Sequence, residues 1–430
     1  MALTGIQIFK LLPKTNCGEC KYPTCLAFAM ALASGKAEID ACPHVTEESR
    51  SQLSEASAPP IRQISMGNGD YEVKIGGETV LFRHEKTFFN QPGFAILISD
   101  AMDDAEIESR FAKVDFFQFD RIGTTLRPEL VALKATGNNE RFINLVKNAD
   151  EKLYGIILIC SNISLMKEAL EICKTKRPLI YAATAENIQE FGFLAKAFNC
   201  PLTVKANGIE ELAGLTDRLT AMGLKDLVLD TSSRDMKGSF QDQIIIRRAA
   251  LVGKNKSLGF PTITFPCEMT DSLMKETLIA SCFVAKYAGI IVLSDFEGES
   301  IFPLLLQRLN IYTDPQRPMT TEQGIYPINN PDRTSPILVT CNFSLTYFIV
   351  SGEIENSRVP SWLCVLDTEG LSVLTAWAAG KFLGDGVAAF IKKCGIIDQV
   401  DHKKLIIPGY AAQILGELEE ELSGWEIHIG

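Results

Sequence analysis

Four cysteines stand within 26 residues near the start of the chain: Cys17, Cys20, Cys25 and Cys42. The first three lie in the stretch TNCGECKYPTC, which is too short for a regular helix or strand to separate them. Gly18 and Pro23 favour turns in this stretch. Four thiolates that converge on one point repel one another and need a cation between them. This feature therefore predicts a small domain folded around a metal centre.

The spacing Cys-x2-Cys-x4-Cys-x16-Cys, with Pro43 after the last cysteine, narrows the choice of metal. Zinc sites more often contain two separated Cys-x2-Cys pairs, whereas three cysteines in one loop and a distant fourth before a proline are typical of [4Fe–4S] clusters. We expect a [4Fe–4S] cluster, with zinc, disulfides or free thiols as alternatives. The run LAFAMALASG predicts a helix that ends at Gly35 and shields the cluster. A helical cluster domain is expected over residues 1–57.

The charge and hydropathy of the chain limit its partners. A formal net charge of −11 argues against binding to nucleic acid, which usually requires a basic face. No apolar run approaches about 18 residues, and Lys10 and Lys14 interrupt the N-terminal apolar segment, so we expect neither a membrane span nor a signal peptide. The other eight of the 12 cysteines are scattered, mostly in apolar stretches, which predicts buried free thiols and a reducing, cytoplasmic compartment.

The middle of the chain, residues 93–312, alternates short β-prone runs with longer helical patterns. The strand candidates are 94–100, 115–120, 155–161, 178–185, 201–207, 226–232, 259–265 and 289–295. Eight strand–helix units in roughly 220 residues match a TIM (β/α)8 barrel in number and length. Before this region, residues 58–92 are interpreted as a linker with a β-hairpin, in which Gly76 and Gly77 form the turn between YEVKI and ETVLFR.

Polar residues end several of the predicted barrel strands: Asp100, Asp120, Asn207, Asp230 and Asp295. In a barrel they would ring the C-terminal face, where active sites lie. Carboxylates and amides in such a ring could bind a pterin, which would make the chain a self-contained barrel methyltransferase. The alternative is that each of these residues caps the helix that follows it.

The C-terminal part begins with an extended linker over residues 313–336, which contain five prolines and no apolar period. Residues 337–430 then alternate strands and helices, which predicts a small flavodoxin-like α/β domain with an open parallel sheet. The loops that follow the strands, 340–344, 367–373 and 408–411, are small and rich in hydroxyls, without a basic residue or Gly-x-Gly-x-x-Gly. They suit a broad apolar disc bonded at its rim better than a nucleotide. Ordinary turn and cap chemistry is the alternative.

Taken in this order, the whole chain resembles the large (gamma) subunit of the corrinoid iron–sulfur protein of the reductive acetyl-CoA pathway. The opening LTGIQIFKLLPKTNCGECKYPTC is the most specific part of the resemblance. It implies a [4Fe–4S] cluster on the four N-terminal cysteines and a corrinoid (a cobamide, with cobalt) in the C-terminal domain. The implied corrinoid contacts are Thr340, Asn342, Ser344, Thr346, Gly370, Leu371, Ser372, Val373, Thr375, Gly409, Tyr410 and Ala411.

The resemblance also implies a function, that of a methyl carrier without a self-contained active site. Methyl would come from a methyltetrahydrofolate or methyl-pterin methyltransferase and pass to the nickel site of acetyl-CoA synthase. The cluster would reduce Co(II) back to Co(I). The implied partners are a small TIM-barrel subunit in a heterodimer, the methyltransferase, acetyl-CoA synthase, and a corrinoid activator or ferredoxin. A plain ferredoxin-like donor with extra domains is a further alternative.

The histidines point to cobalt without an imidazole ligand. Many cobalamin proteins supply that ligand from Asp-x-His-x-x-Gly, which has no match here. The chain has four histidines, His44, His84, His402 and His428, and we interpret His402, in VDHKK, as a turn residue. Because axial ligation is a main determinant of metal potential, a base-off cobalt would be easier to reduce.

Overall fold

A computed structural model of the chain describes residues 5–33, 37, 39–46, 49–50, 53, 59–121, 124–314 and 318–430. The chain divides into two compact units. The first comprises Met1–Phe82, Phe88–Phe117 and Pro128–Ile311, and the second comprises Arg83–Thr87, Gln118–Arg127 and Tyr312–Gly430. Among the helices in the described ranges, none is both long and apolar enough to cross a membrane.

The cysteine-rich start of the chain contains two short helices, α1 (Gly5–Leu11) and α2 (Cys25–Ala33), and a 3-10 turn at Ile39–Ala41. Their apolar side chains form a small core together with three of the four cysteines. The helix predicted after Cys25 is confirmed and begins at Cys25 itself. The predicted helix end at Gly35 and the predicted domain end near residue 57 lie outside the described residues.

A β-hairpin lies between residues 58 and 92, but its turn differs from the prediction. Strand β1 (Ile64–Met66) pairs antiparallel with β2 (Val73–Ile75), so the turn is 67–72 and the prediction of a turn at Gly76 and Gly77 is wrong. Instead, the two glycines allow the backbone to pass close to neighbouring parts of the chain. The amide of Gly77 donates to the carbonyl of Ile61 (3.0 Å), so the chain continues beside residue 61 and does not reverse.

We expect Gly76→Ala to destabilise the protein strongly. Gly76 has a φ of +77°, and an added Cβ would lie 2.1 Å from the carbonyl oxygen of Arg62. Left-handed strain and a clash with backbone together should cost about 2 kcal/mol or more. Gly214→Ala is the control, because Gly214 lies inside a helix with nothing within 4 Å of its Cβ position. Thermal unfolding should show a lower midpoint for the first variant only; equal midpoints would contradict the argument.

The first unit contains a nearly closed barrel of eight parallel strands in the order β10-β9-β8-β7-β6-β3-β12-β11. The strands are β3 (Gly93–Ser99), β6 (Leu130–Lys134), β7 (Gly155–Ile159), β8 (Leu179–Ala183), β9 (Leu202–Lys205), β10 (Leu227–Asp230), β11 (Ile263–Thr264) and β12 (Ile290–Leu293). A parallel bridge between Leu229 and Thr262 joins the two ends of the sheet. The predicted TIM-like barrel is therefore confirmed.

A helix follows each barrel strand, as the α/β alternation predicts. The helices are α3 (Asp104–Phe116), α4 (Asn139–Asp150), α5 (Ile163–Cys173), α6 (Ile188–Phe198), α7 (Ile209–Ala221), α8 (Met236–Leu251), α9 (Leu273–Ala285) and α10 (Gly298–Tyr312). Most of these helices bury an apolar stripe, and the inward side chains of the strands are almost completely buried. This arrangement places the carboxyl ends of all eight strands at one end of the barrel.

One of the eight predicted barrel strands is wrong. Aromatic, β-prone residues predict a strand over 115–120, but 104–116 form α3, which Asp103 caps by accepting the amide of Glu106 (2.8 Å). The remainder enters a separate hairpin of β4 (Phe119–Arg121) and β5 (Thr124–Leu126), which belongs to the second unit. The missed strand is β6, the run LVALK, which pairs with β3 and β7.

The second unit contains a five-stranded sheet in the order β13-β15-β14-β16-β17. Its strands are β13 (Gly324–Ile328), β14 (Ile337–Cys341), β15 (Ser361–Leu366), β16 (Lys404–Ile407) and β17 (Glu426–Ile429). All pairs are parallel except the edge pair of β13 and β15. The four strands expected after residue 336 are all present. Strand β13 lies within the proline-rich segment 313–336, where a sheet edge tolerates proline.

Four helices pack on this sheet: α11 (Ser344–Ser357), α12 (Val373–Ala378), α13 (Gly384–Lys393) and α14 (Leu415–Glu421). Helices α12, α13 and α14 cover one face, over a core that includes Val339, Cys364 and Leu405. Helix α11 packs on the opposite face against Leu363 and Val365. The carboxyl ends of the parallel strands lead into the loops at 342–344, 367–372 and 408–411.

Candidate functional site

The loop that carries the first cysteines is tightly curled. Lys14, Asn16, Gly18 and Lys21 all have φ between +49° and +78°. The amide of Lys21 donates to the carbonyl of Gly18 (2.9 Å), which closes a turn between Cys17 and Cys20. Repeated left-handed residues bend the backbone back on itself, as a loop must that wraps around a compact centre.

The motif cysteines are set into the small N-terminal core. Cys20, Cys25 and Cys42 are buried and Cys17 is exposed. Asn16 contacts Cys25 twice: its side-chain oxygen accepts the amide of Cys25 (2.8 Å), and its own amide points at the Cys25 Sγ (3.4 Å). Hydrogen bonds to ligand sulfurs are one of the ways in which a protein adjusts a cluster potential.

A second group of potential ligands lies at the exposed cysteine. The ligand atoms of Cys17, Glu19 and His44 lie within 4.8 Å of one another, and His44 Nε2 is 3.1 Å from Glu19 Oε1. Among the residues that the structure describes, no other group of three or more metal-binding side chains is this compact. One motif cysteine belongs to it, so the four motif thiols are not gathered at the spacing of a tetrahedral zinc site, about 3.8 Å between sulfurs.

An apolar cavity of about 600 Å³ opens at the carboxyl ends of the strands in the second unit. It is lined by Leu338, Val339, Thr340, Thr346, Ile349, Val350, Ser372, Val373, Leu374, Ile406, Ile407, Pro408, Tyr410 and Gly430. The strands β14 and β16 form its floor, α11 one wall and the start of α12 another. Ligands bind at this end of open α/β sheets, and the volume is typical of a ligand pocket.

Two hydroxyls at this cavity end of β14 have no hydrogen-bond partner. Thr340 and Ser344 are each 1% exposed, and neither Thr340 Oγ1 nor Ser344 Oγ is bonded within the protein. A buried hydroxyl without a partner costs about 1–3 kcal/mol. Thr340 also lines the cavity, so a bound molecule could satisfy this hydroxyl. The cavity therefore fits an apolar ligand that carries hydrogen-bonding groups at its edge.

The structure brings part of the predicted corrinoid set together at this cavity. Thr340, Thr346, Ser372, Val373 and Tyr410 line it. The remaining predicted contacts, which lie in the same loops but not in the lining, are Asn342, Ser344, Gly370, Leu371, Thr375, Gly409 and Ala411. Sequence reasoning missed the aliphatic lining, including Leu338, Ile349 and Ile406. The sequence signal for this lining was weak. Both faces of β14 and β16 carry apolar residues, so the pattern does not show which face lines the cavity.

Histidine is absent from the cavity lining. His402 Nε2 lies 2.9 Å from the carbonyl of Ser335, and His402 Nδ1 accepts the amide of Lys404 (3.2 Å). These contacts place His402 before β16, at the opposite end of that strand from the cavity, in agreement with its interpretation as a turn residue. His428 lies on β17 and pairs with Glu426 (3.1 Å).

The side chain of Asp100, which follows β3, is engaged in hydrogen bonds within the protein. Asp100 accepts hydrogen bonds from the amides of Thr136 (2.8 Å) and Asn138 (3.0 Å) and from the Thr136 hydroxyl. Burial alone would raise the pKa of Asp100, but these hydrogen bonds outweigh it and lower the pKa below its ordinary value. Asp100 therefore holds the loop after β6 and does not cap α3, which Asp103 caps.

The aspartate that ends β10 forms a buried network. Asp230 pairs with Arg234 (2.8 Å) and accepts the hydroxyl of Tyr181, and Arg234 also contacts Glu268 (2.6 Å). Burial would lower the pKa of Arg234, but the hydrogen bond and charge of Asp230 raise it. Burial raises the pKa of Tyr181, and the charge of Asp230 raises it further. The Asp230 carboxylate and the Arg234 guanidinium therefore form a hydrogen-bonded ion pair at the mouth of the barrel.

The other three polar strand ends do not join these residues. Asp120 lies on β4, outside the barrel. The backbone amide of Asn207 donates to Glu211 (2.9 Å), and Asp295 pairs with Lys113 (2.8 Å). None of the five caps the helix that follows by a side-chain bond; those caps include Asp103, Asn138, Asn162 and Asp235. The described barrel mouth thus offers no ring of free carboxylates to a pterin.

The scattered cysteines are mainly core residues, as predicted. Cys160, Cys173, Cys200, Cys341 and Cys364 are buried, whereas Cys267, Cys282 and Cys394 are half-buried. Burial raises the pKa of the Cys173 and Cys200 thiols to about 12, which keeps them protonated and unreactive at neutral pH.

Two family models match parts of this chain. A family model described as "CO dehydrogenase/acetyl-CoA synthase delta subunit" matches residues 63–430, and one described as "Putative Fe-S cluster" matches residues 12–44. A solved structure of dihydropteroate synthase from Thermus thermophilus, in complex with 6HMPPP, is 10% identical to this chain in sequence. The match covers 59% of this chain and 100% of the other, with a TM-score of 0.41, which is too low to support a functional conclusion.

Two curated relatives match over the full length of this chain. The "Corrinoid/iron-sulfur protein large subunit" of Moorella thermoacetica is 41% identical over 100% of this chain and 96% of its own. The "Acetyl-CoA decarbonylase/synthase complex subunit gamma" of Methanopyrus kandleri is 36% identical over 100% and 95%. Although the larger family model is named for a delta subunit, these full-length matches are large or gamma subunits. The chain therefore belongs to the family of corrinoid/iron–sulfur protein large subunits, the gamma subunits of acetyl-CoA decarbonylase/synthase complexes.

Proposed function

We propose that this protein is the methyl-carrying subunit of a corrinoid-dependent methyl-transfer system. The single observation that carries the proposal is the apolar cavity of the second unit, which has a partnerless buried hydroxyl and no histidine in its lining, in a chain of this family. The four parallel strands around it follow the order 2-1-3-4, the beginning of the flavodoxin order, which supports a flavodoxin-like corrinoid domain.

Cys17, Cys20, Cys25 and Cys42 would hold the [4Fe–4S] cluster. The curled loop, the buried positions of three thiols and the contact from the Asn16 amide to Cys25 Sγ support this assignment. Among the described residues, no three of the motif thiols lie within 4.8 Å of one another, which favours a cluster over a zinc ion, because four thiolates on one zinc must approach to about 3.8 Å. The first unit would otherwise serve as scaffold and subunit contact.

The corrinoid would lie on the apolar floor of the cavity. Thr340 would hydrogen-bond its rim, Thr346 and Ser372 would lie beside it, and Tyr410 would shield its edge. No imidazole lines the cavity, so none of the lining residues would supply the metal with a nitrogen ligand. The other predicted contacts, Gly370, Leu371, Thr375, Gly409 and Ala411, would shape the loops.

When bound, the corrinoid would supply a reduced cobalt, which takes a methyl group from a methylated pterin and releases it to the nickel site of acetyl-CoA synthase. The cluster would supply the electron that restores the reduced cobalt. The partners would be a small barrel subunit, the pterin methyltransferase, acetyl-CoA synthase and a corrinoid activator or ferredoxin.

The decisive test is joint analysis of cobalt and iron in the complex purified anaerobically with its small subunit. Iron without cobalt would leave only a ferredoxin-like donor.

We expect Thr340→Val to have opposite effects on the empty and the loaded protein. In the empty protein it removes a buried unpaired hydroxyl, which should raise the free energy of unfolding by about 1 kcal/mol or more. In the loaded protein it removes a hydrogen bond to the ligand, which should weaken the affinity for aquocobalamin about ten-fold. Thermal unfolding and equilibrium titration of the empty protein measure the two effects.

Thr203→Val is the matched control for this prediction. Thr203 Oγ1 is also buried without a partner, but it lies in β9 of the barrel. This variant should gain stability and leave the corrinoid affinity unchanged. If Thr340→Val leaves the affinity unchanged as well, the hydroxyl of Thr340 does not contact the ligand.

A further inference from the structure

Asn342 cross-links two loops at the mouth of the cavity. It follows β14 and is 4% exposed. Its side-chain oxygen accepts hydrogen bonds from the Thr368 amide (2.9 Å) and the Gly370 amide (3.0 Å), and it lies 3.0 Å from the Thr368 hydroxyl, which has a second acceptor in the carbonyl of Leu371 (2.8 Å). Its side-chain nitrogen donates to Asp367 Oδ1 (2.8 Å). One amide therefore joins the loop after β14 to the loop after β15.

The same two loops are tied to a third segment of the chain. The carbonyl of Asn342 accepts the amide of Thr321 (2.9 Å), and the amide of Ser344 donates to the carbonyl of Met319 (3.0 Å). Gly370 packs so closely that an added Cβ would lie 2.8 Å from Thr320 Cγ2. Hydrogen bonds therefore hold both the backbone and the side chain of Asn342, and its side-chain oxygen has no free lone pair for a ligand.

The loops that Asn342 joins carry two walls of the cavity. Thr340 and Thr346 flank Asn342 on the first side, and Ser372, Val373 and Leu374 follow Gly370 on the second. Because the walls come from separate connections of the sheet, their distance from each other depends on cross-links between the loops. The side-chain amide of Asn342 supplies three hydrogen bonds of this kind, to Asp367, Thr368 and Gly370.

We propose that Asn342 is a positioning residue, which together with Asp367 holds the two cavity walls at the separation that the corrinoid requires. This inference rests on the proposed corrinoid site. It gives Asn342 a different role from Thr340, which lines the cavity and whose hydroxyl has no partner within the protein. Affinity for the corrinoid should therefore depend on the Asn342 to Asp367 contact even though neither side chain touches the macrocycle.

Exchange of the two side chains tests the proposal. Asn342→Asp places two carboxylates against each other, and we expect a loss of corrinoid affinity of about 100-fold. Asp367→Asn alone should cost about ten-fold or less, because an amide at 367 can still accept from Asn342. The double exchange, N342D with D367N, restores a donor facing an acceptor with the direction reversed, while the side-chain oxygen of Asn at 367 must turn to accept the amide of Glu369, which Asp367 Oδ1 accepts in the unaltered protein (2.9 Å). It should bring the affinity back to within about three-fold of the unaltered protein.

The measurement is titration of each empty protein with aquocobalamin, with thermal unfolding recorded in parallel. Asn329→Asp is the matched control, because Asn329 Nδ2 donates to the carbonyl of Ile354 (2.9 Å) in the same unit but outside the cavity. It should lower the unfolding temperature without lowering the affinity. If the folded N342D variant binds like the unaltered protein, or the double exchange is no better than N342D, the proposal is overturned. Absence of binding by the unaltered protein would refute the corrinoid site instead.

Discussion

Cys20→Ala is expected to lower the iron content from about four atoms per chain to three or fewer. Cys20 is buried in the N-terminal core, and in the proposed site its loss leaves one iron without a protein ligand. The visible absorbance of the cluster should fall in proportion. Reductive reactivation should fail, whereas pre-reduced protein loaded with corrinoid should still accept methyl, because the cavity belongs to the other unit.

The control for this experiment is Cys282→Ala, a half-buried cysteine on α9 outside the motif. It should retain its full iron content and absorbance. Two results would contradict the division of roles: four irons retained after Cys20→Ala, or loss of methyl acceptance by the folded, pre-reduced variant. Zinc in place of iron in anaerobic preparations of the unaltered protein would refute the cluster itself.

Asp230→Asn is expected to destabilise the barrel by about 3 kcal/mol. Asp230 is 2% exposed and accepts two hydrogen bonds from Arg234 (3.0 and 2.8 Å) as well as the Tyr181 hydroxyl. Removing its charge leaves a mostly buried guanidinium with Glu268 as its remaining carboxylate partner. A loss of this size in a domain as large as the barrel should lower the unfolding temperature by roughly 6–12 °C.

Asp401→Asn is the matched control for the barrel variant. Asp401 also pairs with an arginine, Arg333 (2.6 Å), but both side chains are about 60% exposed. Solvent screens an exposed pair of this kind almost completely, so this change should be nearly silent in calorimetry. Equal shifts for the two variants would mean that the Asp230 network is no stronger than a surface pair. A pterin that protects the Asp230 network from unfolding would revive the alternative of a barrel methyltransferase.

Local patterns predict most of the secondary structure, and the errors have local causes. Seven of the eight barrel strands follow from runs of β-branched and aliphatic residues. The prediction for residues 115–120 is wrong because Phe116 and Phe117 favour a strand, whereas the cap at Asp103 and the buried Ile107, Phe111 and Val114 carry the helix to Phe116. Tertiary packing outweighs the propensity of two residues at a helix end.

The sequence by itself determined the cysteine motif, the alternation of strands and helices in the barrel, and the family, because each depends on short patterns or on similarity along the whole chain. Tertiary structure alone decided the aliphatic lining of the cavity, and it decided that the hydroxyl of Thr340 lacks a partner whereas the side chain of Asn342 is fully bonded. The physical reason is that a side chain is free for a ligand only when no neighbour satisfies it. Those neighbours, such as Asp367 and Gly370 around Asn342, are brought close by the pairing of parallel strands and lie far away along the chain.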